Sequence, residues 1–238
     1  MDVLADVVSR SRRDELGDTL AFRHAPTDRR IDYRRFCTTA WKAGNFLRNE
    51  GVRSGMDVTV AADPISASVL TFYGAGLLGA TVVFGSDGLH DRTKALVAPA
   101  DSLDDYDAGP RTRQVAVGTE HPDPAVAYFE RDVWSENPTE PPDPIAPDDA
   151  LLRADGQTYT HAEVLDAARA FVEEFGLESG TRVVVRGPLT HPGVVAAGLV
   201  APLVGAGVVV VPDAETVGDV AVGAGPEKRV VDPDAVFG

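Results

Sequence analysis

Residues 57–85 read DVTVAADPISASVLTFYGAGLLGATVVFG, and this stretch decides the fold. The apolar run that ends at Asp63 and Pro64 predicts a buried strand, residues 66–78 predict a helix, and residues 80–85 predict the next strand. A strand, a helix and a strand in this order normally form a unit in which the two strands lie parallel in one sheet and the helix covers a face. The stretch therefore predicts a layered α/β fold.

The second half of the chain repeats this order, with GAGVVV after its last helix where the first half has GATVVF. The elements that we predict there are a short strand at Leu151 and Leu152, helices over 161–175 and 192–203, and strands over 182–187 and 205–213. In front of the first unit we predict a helix over 3–16, a strand over 19–24, a turn over 25–28 and a helix over 33–50. The fold class that follows is α/β, with two similar layered subdomains whose largely parallel sheets are covered by helices.

An acidic, proline-rich segment, NPTEPPDPIAPDD, separates the two halves. Proline removes backbone donors and stiffens the chain, so this segment predicts an extended surface linker rather than a helix or a central strand. We place the first subdomain, with this linker, at residues 1–146 and the second at residues 147–238.

Composition narrows the classes of function. The formal charge is −15, with 37 Asp and Glu against 22 Lys and Arg, which disfavours binding to nucleic acid or to anionic lipid. No apolar run approaches the roughly 20 residues of a membrane span, and the N-terminus lacks the basic region of a signal peptide, so we expect no membrane and a cytoplasmic location. Acidity built from Asp and Arg with few Lys resembles proteins of salt-loving microbes, and we expect a halophilic archaeon as the source.

Several motifs point to structure rather than to chemistry. Cys37 lies on an apolar helical face and is predicted to be an inert core thiol. GAGLLG over 74–79 satisfies a dinucleotide fingerprint, but it closes a helix instead of opening one, so it predicts close helix packing. The acidic run over 101–107 predicts a solvated loop. No histidine pair has metal-binding spacing, and we expect surface or capping roles for the five histidines, His24, His90, His121, His161 and His191.

Two sets of motifs carry a resemblance. IDYRRF, GVRSGMDVTV and LLGATVVF occur in order within residues 16–90, and DDALL, ADGQTY, THAEV and LTHPGVVAAGLVAPLVGAGVVVVP follow in the second half. In this order they resemble the adenylate-forming (AMP-binding) enzymes, which include acyl-CoA and acetyl-CoA synthetases. The resemblance implies the fold of the N-terminal domain of those enzymes.

The resemblance also implies a phosphate-binding loop that is reduced here. Members of that family wrap a Ser/Thr/Gly-rich loop with a lysine around the ATP phosphates, between a strand and a Thr-His helix start. In this chain that position keeps only Gly156, Thr158 and Thr160 as candidate nucleotide contacts, and Arg153 is the one nearby cation that could replace the lysine. A structural alternative stays open for Thr160, which with Glu163 forms the sequence pattern of a helix capping box.

His191 matches a position from which that family lines its acyl and pantetheine channel, and it is our candidate substrate-binding residue. The alternative is a histidine at a strand end under a proline turn. We predict no catalytic residue and no metal ligand.

Three functions remain open from the sequence. The first is a catalytically incomplete acyl-CoA synthetase-like protein that acts as a binding or regulatory module, because the loop, the adenine segment and the C-terminal domain with the catalytic lysine are missing relative to the resemblance. The second is acid–CoA ligation, alone or completed by a partner chain. The third is an interaction protein without a small ligand, favoured if side chains fill the crevice beside His191. No cofactor is required, ATP, AMP or CoA are possible ligands, and the expected partners are a second copy or a full-length acyl-CoA synthetase.

Overall fold

The computed structural model describes residues 1–86, 89 and 92–238 of the 238-residue chain. The helices are α1 (Leu4–Val7), α2 (Arg10–Leu16), α3 (Tyr33–Asn49), α4 (Ser66–Gly76), α5 (Phe129–Ser135), α6 (His161–Phe175) and α7 over 192–204. The strands are β1 (Leu20–His24), β2 (Arg29–Asp32), β3 (Asp57–Val60), β4 (Thr81–Phe84), β5 (Thr93–Pro99), β6 (Arg113–Val117), β7 (Ala127–Tyr128), β8 (Ala150–Ala154), β9 (Gln157–Thr160), β10 (Arg182–Val185), β11 (Val208–Val211), β12 (Val220–Val222) and β13 (Val230–Val231).

The described strands form two mixed sheets. One has the order β7-β6-β5-β3-β4-β8-β9, and the other has the order β13-β12-β10-β11-β1-β2. Every described pairing is parallel except the two hairpins β1–β2 and β8–β9. This confirms the predicted fold class, in which helices cover largely parallel sheets.

The two sheets exchange hairpins across the predicted boundary. β1 comes from the first half of the chain but pairs in parallel with β11, and β8 comes from the second half but pairs in parallel with β4. The division into 1–146 and 147–238 stays a prediction, yet neither sheet is built from one of these segments alone. Each hairpin joins the sheet of the other half through one parallel pairing, β1 with β11 and β8 with β4.

Close approach of two helices explains the first glycine of GAGLLG. A Cβ placed on Gly74 of α4 would lie 2.7 Å from the backbone nitrogen of Gly44 in α3. Only glycine permits this contact, so the motif packs α4 against α3. Its position at the end of α4 and before β4 agrees with the prediction.

The predicted helix over 3–16 is interrupted at Val8 and Ser9. The Ser9 hydroxyl accepts a hydrogen bond from the Arg12 amide and caps α2, so the chain starts a new helix there. This corrects the single helix that apolar spacing had predicted. No described helix is long and apolar enough to cross a bilayer.

One large hydrophobic core joins elements of both halves. It includes Trp41 of α3, Tyr73 of α4, Leu165 of α6 and Leu199 of α7, all fully buried. The middle of α7, Val195–Val200, is wound as a π-helix, and the Tyr73 hydroxyl donates to the Leu199 carbonyl of that segment at 2.9 Å. The hydrogen bond satisfies a carbonyl inside the core and ties α4 to α7.

Candidate functional site

The β8–β9 hairpin carries Gly156 and Thr158, two of the three candidate nucleotide contacts. Only Asp155 and Gly156 connect its strands, since Ala154 pairs with Gln157. Both turn residues have positive φ, 51° and 73°, which is the requirement of the tight hairpin turn that Asp-Gly favours. The backbone between Leu152 and Thr160 therefore forms a hairpin, and its two-residue turn is exposed to solvent.

The two candidate threonines lie on the returning strand. Thr158 is exposed and pairs with Arg153 across the hairpin. Thr160 caps α6: its hydroxyl accepts from the Glu163 amide at 3.2 Å, while Glu163 accepts from the Thr160 amide at 2.7 Å. The hydrogen bond from the Thr160 amide lowers the pKa of Glu163. Thr160 thus has the capping-box geometry that was the structural alternative.

Arg153, the cation closest to the turn in sequence, is directed away from the tip. Its guanidinium forms an ion pair with the fully buried Asp57, with Nη1 2.5 Å from Oδ2 and Nη2 3.4 Å from Oδ1. Removing Arg153 would take a charged hydrogen-bond donor away from a fully buried carboxylate, which is costly. The sequence offered a weak signal for the pair, an Asp at the start of one buried strand and an Arg near the end of another.

His161 lies inside the protein. Its Nδ1 accepts a hydrogen bond from the Leu4 amide at 3.0 Å, which joins α1 to the start of α6. Among the described residues Nε2 has no hydrogen-bond partner. Burial lowers the pKa of His161 to about 4, against a smaller opposing effect of Asp149, so the imidazole is neutral. The surface location expected for this histidine is therefore wrong, whereas a capping role agrees with the structure, since Leu4 is the first residue of α1 and its amide has no partner within the helix.

His191 caps the N-terminus of α7. Its Nδ1 accepts from the Gly193 amide at 3.1 Å, and its Nε2 lies 2.9 Å from Oδ1 of Asp234. Because Nδ1 accepts, the ring proton is on Nε2 and is donated to the carboxylate. Both ring nitrogens of His191 are thus engaged within the chain.

The segment 232–237 fills the space beside His191. The Pro233 carbonyl oxygen would lie only 2.1 Å from a Cβ at Gly193, so the segment runs directly over the start of α7. The ring of Phe237 in the same segment lies 4.7 Å from the ring of Tyr159, measured between centroids. The segment therefore contacts both β9 and the N-terminus of α7, the two places that carry the candidate residues.

A second buried ion pair lies at the end of β10 and was missed by sequence reasoning. Arg186 donates to Glu227 through Nε at 2.8 Å and through Nη2 at 2.6 Å, and it also donates to the Thr216 carbonyl. The hydrogen bonds from Arg186 lower the pKa of Glu227. Nothing in the spacing of these residues predicts their contact, because Arg186 follows β10, Glu227 lies between β12 and β13, and the two are 41 positions apart.

The remaining candidates have structural surroundings. Cys37 is buried, and burial raises the pKa of its thiol to about 12, which agrees with an inert core residue. The aspartates of the run 101–107 are exposed, as predicted. In the described part of the chain no group of three or more His, Cys, Asp or Glu side chains could hold a metal ion. His90 lies outside the described residues.

Comparison with known proteins shows the fold. No family model and no curated protein matches this sequence. Among solved structures, the N-terminal domain of FACL13 from Mycobacterium tuberculosis has 18% identity and a TM-score of 0.71, over 89% of this chain and 57% of that one. The anthranilate CoA ligase AuaEII, solved with anthranoyl-AMP, has 18% identity and a TM-score of 0.75, over 88% of this chain and 45% of that one.

The nonribosomal peptide synthetase FmoA3 has 18% identity and a TM-score of 0.72, over 88% of this chain and 22% of that one. This chain thus spans little more than half the length of the FACL13 domain and less of the other two. The architecture described above is that of the N-terminal domain of acyl-CoA synthetases.

Proposed function

We propose that this chain is a catalytically incomplete acyl-CoA synthetase-like protein that acts as a binding or regulatory module. The proposal combines the fold with the local geometry of the two candidate regions. The fold alone carries no activity, because one fold hosts many functions.

The observation that carries the proposal is the two-residue turn at Asp155 and Gly156. A phosphate-binding loop surrounds its anion with several backbone amides, usually beside a lysine. A turn of two residues offers no such enclosure, and the nearby Arg153 is paired with Asp57. Adenylyl transfer depends on positioning the phosphates and on neutralising their charge. A turn without enclosing amides and an arginine paired with Asp57 therefore weigh against catalysis by this chain alone.

The surroundings of His191 also support a role without an acyl channel. A channel wall needs a side chain that faces open space, whereas His191 binds Asp234 and lies under the segment 232–237. This favours a module that acts through a partner, such as a second copy or a full-length acyl-CoA synthetase.

Calorimetry with ATP, AMP, CoA and an acyl-CoA tests the proposal. We expect no heat of binding from ATP or AMP. The titrations are made in molar KCl, because the acidic composition agrees with a source in a halophilic archaeon. ATP binding that is lost on Thr158→Ala would contradict the proposal, since it would place a nucleotide at the hairpin.

The second candidate is acid–CoA ligation, alone or with active-site parts from a partner chain. It is favoured by the likeness to AuaEII, whose structure contains an acyl-adenylate. Pyrophosphate release is measured with ATP, CoA and acids of several lengths, for the purified chain and after adding a full-length synthetase. We expect no release from the chain alone.

A further inference from the structure

A surface groove of about 520 Å³ lies between the edge strand β2, the first half of α3 and α5. Its positive side chains are Arg29 and Arg30 of β2 and Arg34, Arg35 and Lys42 of α3, and its aromatic side chain is Trp134 of α5. We call these six residues the cationic groove. Among the described residues no carboxylate lines it, although the chain as a whole carries a charge of −15. Five cations in one groove are unusual in a protein with this excess of Asp and Glu.

The cations of the groove are only weakly neutralised. Three of its arginines form ion pairs, Arg30 with Asp28 at 3.6 Å, Arg34 with Asp18 at 3.3 Å and Arg35 with Asp32 at 3.6 Å. These pairs lie at the surface, where water screens them, and three carboxylates do not balance five cations. Within the described part of the chain no acidic group forms an ion pair with Arg29. The groove therefore presents net positive charge to solvent.

Trp134 adds an apolar surface to this charge. Its side chain is 76% exposed, while the other tryptophan, Trp41, is fully buried. Lys42 holds the residue in place, since its Nζ donates to the Trp134 carbonyl at 2.6 Å and lies 5.1 Å from the ring centroid. Exposed Trp beside Arg is the composition that dominates binding energy at protein interfaces.

The shape of the groove favours an extended peptide over a compact anion. From Arg34 to Lys42 the helix rises about 12 Å, which matches about four residues of an extended chain. Among the described strands β2 is the outermost of its sheet and pairs with β1 alone. Its free edge offers backbone hydrogen bonds to an added strand. A compact phosphate needs converging donors, and these cations are instead spread along the groove.

We propose that the cationic groove is the docking site for an acidic, extended segment of a partner protein, with an apolar side chain that packs on Trp134. Carboxylates of the segment pair with the arginines of β2 and α3. Charges are screened within about 8 Å at 0.15 M salt and within about 3 Å in molar KCl, so the cations in direct contact with the segment act on it while the more distant acidic remainder of the chain does not repel it strongly.

Fluorescence titration of the full chain tests this inference. The probe is an eight-residue peptide of glutamates with one central leucine, and a glutamate peptide without leucine is the comparison. Because Trp41 is buried, a change in emission reports on Trp134, and Trp134→Phe should abolish the signal while calorimetry still detects binding. We expect saturable binding that weakens with salt and is several-fold tighter for the peptide with leucine.

A matched pair of variants makes the result decisive. Arg30→Glu with Arg34→Glu should weaken binding at least tenfold, whereas Arg10→Glu with Arg111→Glu, on other exposed arginines, gives the same net charge and should leave it unchanged. Trp134→Ala, measured by calorimetry, should reduce the affinity for the peptide with leucine to that for the peptide without leucine, and it should leave β2 and α3 unaltered.

Three results would overturn the inference. One is equal loss of binding in the two charge variants. Another is binding of tripolyphosphate or an oligothymidylate in place of the peptide. The third is no saturable binding at all, which would mean that the arginines only protect the edge of β2 from pairing with other strands.

The inference rests on the proposed function in one respect, because both give the chain a binding role. A chain that bound the peptide and also formed an acyl-adenylate would support the groove and refute the incomplete module.

Discussion

At the scale of single residues, the histidines and the arginine near the candidate site are buried or bound to partners within the chain. His161 is neutral and bound to the Leu4 amide, His191 caps α7 and donates to Asp234, and Arg153 is paired with Asp57. Each of these groups contributes to stability through a defined partner. Their roles can therefore be tested by measurements of unfolding.

His161 should make the protein sensitive to mild acid. In the unfolded chain its pKa is about 6.5, whereas in the folded protein it is lowered to about 4, so below pH 6.5 protons bind preferentially to the unfolded state. Stability is full above pH 6.5 and is lost as pH falls toward 4, by about 3 kcal/mol in total. Urea unfolding at pH 7 and pH 5 should show about 2 kcal/mol of this loss, because pH 5 still lies above the folded pKa.

His161→Gln is the matched variant, because its amide oxygen can still accept from the Leu4 amide but does not titrate. We expect a flatter dependence of its unfolding free energy on pH between 6.5 and 4. An identical pH dependence in both proteins would show that His161 is not buried as described.

The two ion pairs at β10 should differ strongly in their contribution to stability. Glu227→Gln leaves the half-buried Arg186 without its charged partner and should cost about 3 kcal/mol. Asp219→Asn breaks the exposed pair with Arg182 and should cost less than about 1 kcal/mol. Chemical unfolding at pH 7 compares the two amide variants, and equal costs would be inconsistent with the burial of Glu227.

At the scale of elements, the β8–β9 hairpin determines the backbone geometry of the candidate nucleotide region. Its turn of Asp155 and Gly156 needs positive φ at both positions. Residues after the turn pass directly into the capping box of α6. The strand, the turn and the helix start therefore form one continuous structural unit.

Gly156→Ala should destabilise the protein by about 1 kcal/mol, because an alanine at φ 73° is strained although nothing lies within 4 Å of the added Cβ. Gly109→Ala is the control, since Gly109 has no positive φ and its Cβ would meet only the Thr112 hydroxyl, at 3.9 Å. Thermal unfolding compares the two. A neutral Gly156→Ala would indicate a wider, more adaptable loop.

The sequence predicts helices and strands where one hydrophobic periodicity dominates. It fails where contacts between distant residues determine the local structure. Helices over 33–50 and 161–175 and the strands around β3, β4, β10 and β11 agree with the structure within about two residues at most of their ends. β2 was missed because its charged residues carry no apolar alternation and are held by pairing with β1. The π-helical segment of α7 was not predicted either, and its hydrogen bond with Tyr73 comes from a distant helix.

At the scale of the whole molecule, exchange of hairpins joins the two halves. β1–β2 completes the sheet of the second half, and β8–β9 completes the sheet of the first half. The large core likewise combines residues of α3 and α4 with residues of α6 and α7. We therefore expect one cooperative unfolding transition for the whole chain.

A fragment of residues 1–146 should not fold by itself. Without β8 the fully buried Val82 on β4 would lie at an open sheet edge, and without β11 the β1–β2 hairpin would have no sheet. Circular dichroism and urea titration should show no cooperative transition until the 147–238 fragment is added. A cooperative transition in the first fragment alone would support the boundary at 146/147 as a true domain limit.

The sequence indicated the capping box of α6 but not the hairpin in front of it. THAEV carries the local signal of the cap, whereas strand β9 was not predicted and the candidate nucleotide contacts stay a prediction. The covering of His191 by the segment 232–237 was not predictable, because Asp234 and Pro233 are 40 or more positions away and carry no motif for this contact.

We propose that this chain, at the two-residue turn of Asp155 and Gly156, lacks the backbone amides that would hold the ATP phosphates for adenylation. The most direct test is mass spectrometry of the purified chain incubated with ATP, Mg²⁺ and a mixture of carboxylic acids, in search of acyl-adenylates. We predict none above a reaction without protein. An acyl-adenylate that forms in proportion to protein concentration would contradict the claim.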